Sequence, residues 1–220
     1  MKLRAIIFDM DGTLFQTNSI LELALEDAFK RLRDQQLWNS ATPIEKYREI
    51  MGVPLPQVWE TLLPLHSQEV RAATDAYFLE RLIENINNGK GALYPHTQAV
   101  LAELKNRNFA IFIASNGLPA YLKAIVEYYE LDKWVTETFS IAQIHSLNKA
   151  DLVRAVIQKY EIASGAVVGD RLSDIQAASR NGFLSVGCNF DFAKLEELSE
   201  ADIVIDDLRD LPAIFTKSIK

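Results

Sequence analysis

The stretch Leu3-Arg4-Ala5-Ile6-Ile7-Phe8-Asp9-Met10-Asp11-Gly12-Thr13 decides how the rest of the chain is read. A mostly apolar run meets two aspartates, a glycine and a threonine without a break. Such a run is the pattern of a strand buried on both faces, the kind that parallel sheets use. The two carboxylates, two residues apart and followed by a turn-forming glycine, can converge on a single site at the strand's end. One chemistry that uses such a pair is a nucleophile with a general acid beside it, the two carboxylates differing by environment. Another is a calcium loop, which also opens Asp-x-Asp. Here the sixth position is Leu14 where that loop needs glycine, and the twelfth is Ile20 where it needs glutamate, so the calcium loop fails. An acidic turn without chemistry stays open on these residues alone.

Working outward, further apolar runs fit buried strands at Ala110–Ala114, Phe139–Ile141, Ala166–Val168, Leu184–Val186 and Ile203–Ile205. Helical patterns separate them. Leu122, Ile125, Val126 and Tyr129 form one apolar stripe, and Leu152, Val153, Val156, Ile157 and Tyr160 a second. A third helix is expected over Asp174–Asn181, stopped by Gly182. Strands alternating with amphipathic helices predict an α/β fold with a parallel sheet covered on both faces. Residues 18–90 break the alternation. Leu21, Leu25, Phe29 and Leu32 make one helical stripe there, and Leu79, Leu82, Ile83 and Ile86 another. Pro43, Pro54, Pro56 and Pro64 punctuate shorter helices between them. The expected organisation is a core of residues 1–17 and 91–220, with an all-helical insertion of residues 18–90 after the first strand.

At 220 residues, 49% hydrophobic and 24% charged, the chain has the composition of an ordinary globular protein. Its formal net charge is −7 and no run of Lys and Arg stands out, so nucleic acid is not an expected partner. An acidic surface repels anions at long range, so a phosphate site would need its own local positive charge. Cys188 is the single cysteine, which excludes an intramolecular disulfide and zinc sites built on several thiolates. The apolar run near the N-terminus is too short for a signal-peptide core, and nothing approaches the length of a membrane span. The expectation is a cytoplasmic protein with no membrane partner. Oligomeric state is not encoded in any readable feature, and a monomer is compatible with all of them.

Three more features sit where strands end, which is where open parallel sheets bind ligands. Ser115-Asn116-Gly117 closes the second core strand, and Pro119 suits the first position of the helix that follows. Ser115, Asn116 and free amides at that helix start could cradle a phosphate; taken alone, Ser-Asn-Gly is more often a plain turn. Lys149 opens another amphipathic helix and is either a phosphate ligand or a solvated side chain. Gly169-Asp170 ends the Ala166–Val168 strand, with Asp174 four residues on. That spacing puts the two carboxylates on one helical face. Aspartates close to Asp9 would repel unless a cation sat among them, and an oxygen-only set suits Mg²⁺. The plain alternative is an aspartate capping a helix.

Taken in order, Asp9-x-Asp11-Gly12-Thr13, Ser115, Lys149 and Gly169-Asp170-x-x-x-Asp174 resemble the four motifs of the haloacid dehalogenase superfamily. The helical insertion resembles the cap of the branch containing phosphoglycolate phosphatase and β-phosphoglucomutase. Met51-Gly52-Val53-Pro54-Leu55 is similar to a segment of such caps, and Ala201-Asp202-Ile203-Val204-Ile205 to the last core strand. The resemblance implies a three-layer, Rossmann-like α/β core with a helical cap. It implies a magnesium site made by Asp9, the main-chain carbonyl of Asp11, and Asp170, with Asp174, Gly12 and Thr13 in support. Ser115, Asn116 and Lys149 would hold phosphoryl oxygens. Asp9 would attack phosphorus to form an aspartyl-phosphate, and Asp11 would serve first as acid and then as base.

Departures from the family pattern are Gln16 for a frequent aspartate, Ala150 for a frequent proline, and His96 for a frequent glycine. The implied activity is a magnesium-dependent phosphatase acting on a small phosphorylated metabolite. A dehalogenase lacks the second carboxylate, so Asp11 argues against one. A phosphosugar mutase would need a cap group for a second phosphate, with Arg48 a candidate. A phosphonatase would need a cap lysine, with Lys46 a candidate. A non-catalytic phospho-ligand-binding protein on the same fold is the alternative outside enzymes. His66 and His145 have no partner spacing that suggests a metal or a triad, and together with His96 they read as structural.

Overall fold

A computed structural model describes residues 3–50, 53, 55–191 and 193–217. The chain divides into two compact units, one of Met1–Gln16 with Leu93–Lys220 and one of Thr17–Ala92.

The first unit is built on six parallel strands. They are β1 (Leu3–Phe8), β2 (Ala110–Ser115), β3 (Glu137–Ser140), β4 (Ile162–Gly169), β5 (Leu184–Cys188) and β6 (Ile203–Ile205). Their order across the sheet is β3-β2-β1-β4-β5-β6. The chain therefore builds outward from β1 in one direction and then returns to build in the other. The turning point lies between β1 and β4, the place where parallel sheets open a crevice at their carboxyl ends. In register there, Phe8 stands opposite Val168, so the residues that follow both strands emerge side by side.

The sheet is apolar on both faces because helices cover both. Ala5, Ile7, Phe112, Ala114 and Val167 pack with Leu152, Val153, Val156, Ala177 and Ala178 in one core. The alternate residues Ile6, Phe8, Ile111 and Ile113 are just as buried. Each such side chain contributes about 1.5–3 kcal/mol by leaving water.

Strand limits differ from the sequence expectation where pairing, rather than hydrophobicity, sets them. Glu137 and Thr138 belong to β3 because they pair with Phe112 and Ile113. Ile141 leaves the strand because Ser140 caps a tight turn, accepting from the Ala142 amide at 3.2 Å. β4 starts at Ile162, which pairs with Leu3.

The second unit holds α1 (Asn18–Asp34), α2 (Ile44–Glu49), α3 (Leu55–Leu62) and α4 (Gln68–Asn87). The α1 stripe of Leu21, Leu25, Phe29 and Leu32 is buried as expected. The α4 face is rotated from its expected position: Phe78, Leu82 and Ile86 are buried, while Leu79 and Ile83 are only partly so. Phe78 draws the helix round, since its ring packs against Tyr47 and Trp59. Met51, Gly52 and Pro54 of the cap-like segment lie outside the described residues.

The remaining helices return to the first unit. They are α5 (Thr97–Asn106), α6 (Pro119–Tyr128), α7 (Lys149–Tyr160), α8 (Leu172–Arg180), α9 (Leu195–Leu198) and α10 (Leu211–Lys217). Among the described residues, no helix is long and apolar enough to cross a membrane.

Candidate active site

Asp9 follows β1 and stays in the sheet's hydrogen bonding, its amide donating to the Val168 carbonyl at 2.8 Å. The chain then folds tightly. The Leu14 and Phe15 amides both donate to the Met10 carbonyl at 2.9 Å, and the Gly12 amide to Phe15 at 3.0 Å. Gly12 turns at φ +76°, and a Cβ there would collide with the Asp170 carboxylate. Glycine is needed for both reasons. Thr13 donates its hydroxyl to Oδ1 of Asp170 at 3.2 Å, tying the loop after β1 to the one after β4.

Asp170 lies just past the end of β4, and α8 begins only at Leu172. The expectation that Asp170 and Asp174 share one helical face is therefore corrected. Asp170 is on the strand-to-helix turn and Asp174 is in the first helical turn. Asp174 also has the plain capping role, accepting from the Arg171 amide at 3.2 Å. Gly169 makes room for it, because a Cβ at that position would overlap the Asp174 side chain.

Lys149 is the first residue of α7, placed by Asn148, whose side chain caps the helix through the Ala150 amide at 2.9 Å. Its ammonium lies 2.8 Å from Oδ1 of Asp9 and 2.5 Å from Oδ1 of Asp174. Lys149 is 5% exposed, Asp9 7%, Asp170 2% and Asp174 1%. Charges this deeply buried are unfavourable unless paired. Burial works against the Lys149 ammonium, yet Asp174 and Asp9 outweigh it and hold the lysine charged above its ordinary range.

The carboxylates are not equally compensated. Burial, reinforced by Asp9 and Asp174, pushes Asp170 well above the usual carboxylate range. Burial also pushes Asp174 up to about 6, against the pull of Lys149. One ammonium facing three buried carboxylates leaves negative charge unbalanced.

Carboxylate oxygens of Asp9, Asp170 and Asp174 all lie within 4.8 Å of one another. Oδ1 of Asp9 and Oδ1 of Asp174 are buried without a well-directed hydrogen bond. An all-oxygen, electron-rich, under-neutralised cluster fits a hard divalent cation of the Mg²⁺ kind.

Ser115 ends β2, is buried, and accepts from the Gly117 amide at 3.1 Å. Ser140 braces the same turn by donating to the Gly117 carbonyl at 2.6 Å. Asn116 stands on that turn, partly exposed, and Pro119 is the first residue of α6. Oδ1 of Asp11 accepts from the Tyr121 hydroxyl of α6 at 2.5 Å. Tyr121 escaped sequence reading, since a tyrosine on an apolar helix face reads as core. Behind the carboxylates, Cys188 is buried, and burial pushes its thiol well up.

The other sequence candidates sit as follows. Gln16 donates to the Leu93 carbonyl at 2.9 Å. His96 adopts φ +68° ahead of α5, a conformation that accounts for glycine being frequent at this place. Within the helical unit, Arg48 pairs with Glu22 and Glu45, and Lys46 with Glu49 at 2.9 Å. The His66 ring nitrogen Nε2 meets the Leu37 carbonyl at 2.7 Å.

The sequence model of the haloacid dehalogenase-like hydrolases matches residues 3–182. Pyrophosphatase PpaX of Oceanobacillus iheyensis is 24% identical over 97% of both chains. Phosphoglycolate phosphatase of Vibrio cholerae is 22% identical over 94% of both. Among solved structures, a predicted phosphoglycolate phosphatase from Haemophilus somnus superposes with a TM-score of 0.84 at 19% identity, over 98% of this chain and 99% of that one. A variant of CbbY from Rhodobacter sphaeroides, in complex with xylulose-1,5-bisphosphate, superposes with a TM-score of 0.80 at 19% identity and 96% coverage of each. With the match spanning most of its length, the chain belongs to the haloacid dehalogenase-like hydrolase family and is an enzyme of its phosphatase kind.

Proposed function

We propose that this enzyme is a magnesium-dependent phosphatase that cleaves a small phosphorylated metabolite by passing the phosphoryl group through Asp9. The observation that carries the reading is the buried contact of Asp9 with Lys149 at the sheet's turning point. A carboxylate nucleophile needs a fixed position and a cation beside it to receive the anionic phosphoryl group.

In the proposed reaction Asp9 attacks phosphorus, and the bond to the leaving oxygen breaks with its electron pair. Asp11 gives that oxygen a proton. Water then attacks phosphorus while Asp11 takes a proton from it. The bond to Asp9 breaks, phosphate leaves, and both carboxyl groups are restored. Lys149, Ser115 and Asn116 hold the phosphoryl oxygens. Asp9, the main-chain carbonyl of Asp11, and Asp170 would hold Mg²⁺, with Asp174, Gly12 and Thr13 in support. When bound, the ion would offset negative charge on the phosphoryl group. We assign residues 18–90 the part of a helical cap that selects the substrate.

The test is phosphate release from a panel of sugar, glycolate-type and nucleoside phosphates and pyrophosphate, with and without Mg²⁺. At least one should be turned over only with the ion. No release from any member would leave the phospho-ligand-binding alternative.

A further inference from the structure

We infer that Tyr121 is a positioning residue for Asp11, fixing which carboxyl oxygen exchanges the proton; this rests on the phosphatase reading above. The Tyr121 hydroxyl lies 2.5 Å from Oδ1 of Asp11. That separation is at the short end for O–H···O contacts and is typical when the acceptor is a carboxylate. An ionised carboxylate has no proton to give, so in that state the phenol donates and Oδ1 of Asp11 accepts. With Oδ1 held by Tyr121 the carboxyl is fixed in rotation, and the inference assigns the exchangeable proton to Oδ2. The same oxygen then receives the proton of the attacking water. One contact thus serves both halves of the reaction.

The ring that carries the hydroxyl is itself held. Tyr121 is 5% exposed and lies in the first turn of α6, just past the Ser115 turn. Phe15, fully buried, meets it edge-on with centroids 6.5 Å apart. The backbone of Phe15 is in turn bridged to Asp11. On the other side, a Cβ at Gly117 would come within 3.1 Å of the Tyr121 ring and 2.9 Å of Leu122. The absence of a side chain at Gly117 is what lets the Ser115 turn lie against the tyrosine. Tyr121 therefore links the nucleophile's loop to the phosphate-binding turn. An Asp11 free to rotate would spend part of its time unable to reach the leaving oxygen, and a displacement on the ångström scale is costly in such steps.

The experiment compares Tyr121→Phe, Asp11→Asn and the double variant on an alkyl phosphate and on p-nitrophenyl phosphate, whose leaving group needs almost no proton. Thermal melting checks that each is folded. Tyr121→Phe should lower kcat for the alkyl phosphate roughly tenfold, a part of the 10²–10⁴ that a general acid supplies. KM should stay the same, and the burst of nitrophenol should change less than about twofold. In the Asp11→Asn background the tyrosine change should have no further effect, because residues acting as a unit are not additive. Placing 3-fluorotyrosine at 121, which keeps ring and donor, should retain wild-type selectivity between the two substrates. Equal loss in the phosphorylation step on both substrates, no loss on either, or additive losses in the double variant would overturn the assignment. If Asp11→Asn itself shows no dependence on leaving group, the acid–base role of Asp11 fails and takes Tyr121 with it. A leaving-group effect of Asp11→Asn without one of Tyr121→Phe removes the tyrosine alone.

Discussion

The ammonium of Lys149 lies 2.8 Å from Oδ1 of Asp9, with both side chains buried. Removing one partner of such a pair strands the other in a medium that disfavours charge. Lys149→Met, measured by urea unfolding without divalent ions, should lose about 3–5 kcal/mol. Activity should fall with it. Unchanged stability would mean that the pair is solvated.

Asp9→Asn should keep the fold and abolish turnover, because an amide cannot carry the phosphoryl group. Labelled substrate followed by acid quench should show phosphate bound to the wild-type protein and none bound to the variant. Substantial turnover by the variant would move the nucleophile elsewhere.

The unbalanced charge of Asp9, Asp170 and Asp174 predicts that Mg²⁺ stabilises the fold. At one hundred times its Kd the gain is about 2.7 kcal/mol, read as a shift in Tm. Asp170→Asn should raise the concentration needed, and excess chelator should stop turnover. Ca²⁺ should give the shift in Tm with little catalysis, because its looser coordination misplaces the nucleophile. Full activity in chelator would end the metal assignment.

Gly169→Ala should act on Asp174, five residues further along the chain. The added methyl overlaps the Asp174 side chain, so the carboxylate must leave its place beside Lys149. Overpacking of this kind costs about 1–3 kcal/mol. The expected readout is a higher Mg²⁺ requirement together with a lower Tm. A variant with wild-type values of both would show that α8 can shift freely.

Asp202 gives a pH prediction away from the site. Its Oδ2 accepts from the Ser185 amide at 2.8 Å and hydroxyl at 2.7 Å. These bonds hold its carboxyl below the ordinary range, although burial opposes them. The folded state then releases this proton more readily than the unfolded chain does. The stabilisation is complete above the unfolded value and disappears as pH falls through the depressed folded one. Asp202→Ala should cost about 1 kcal/mol at neutral pH, a modest figure because the group is largely solvated. The difference from wild type should vanish in strong acid.

How much of this was legible in the sequence depended on whether chemistry and hydrophobic pattern were adjacent. The loop after β1 was readable because a continuous apolar run leads directly into Asp9 and Asp11. The start of α7 at Lys149 was readable from the helical stripe behind it. The meeting of Lys149 with Asp9 and Asp174 required the strand order, which no local pattern contains. The limits of β3 and the buried face of α4 were misplaced because cross-strand pairing and the Phe78 ring decide them. Tyr121 was invisible for a different reason. Its hydroxyl leaves no periodic trace, and its ring satisfies the helix's apolar face as any core residue would.

One feature of the α/β unit bears on how such enzymes can diversify. Phe15 pairs with Leu93 as an isolated antiparallel bridge, the Tyr94 amide donates to the Leu14 carbonyl at 2.9 Å, and Gln16 reaches the Leu93 carbonyl. The point where the chain leaves this unit and the point where it returns are thus stitched together by the unit's own residues. A segment inserted between two ends already held side by side adds little closure entropy, and lengthening it costs only logarithmically more. The helical unit is in effect a cassette on a closed clasp. Evolution or an engineer can exchange it for another of different size while β1, the Asp9 loop and the sheet stay as they are.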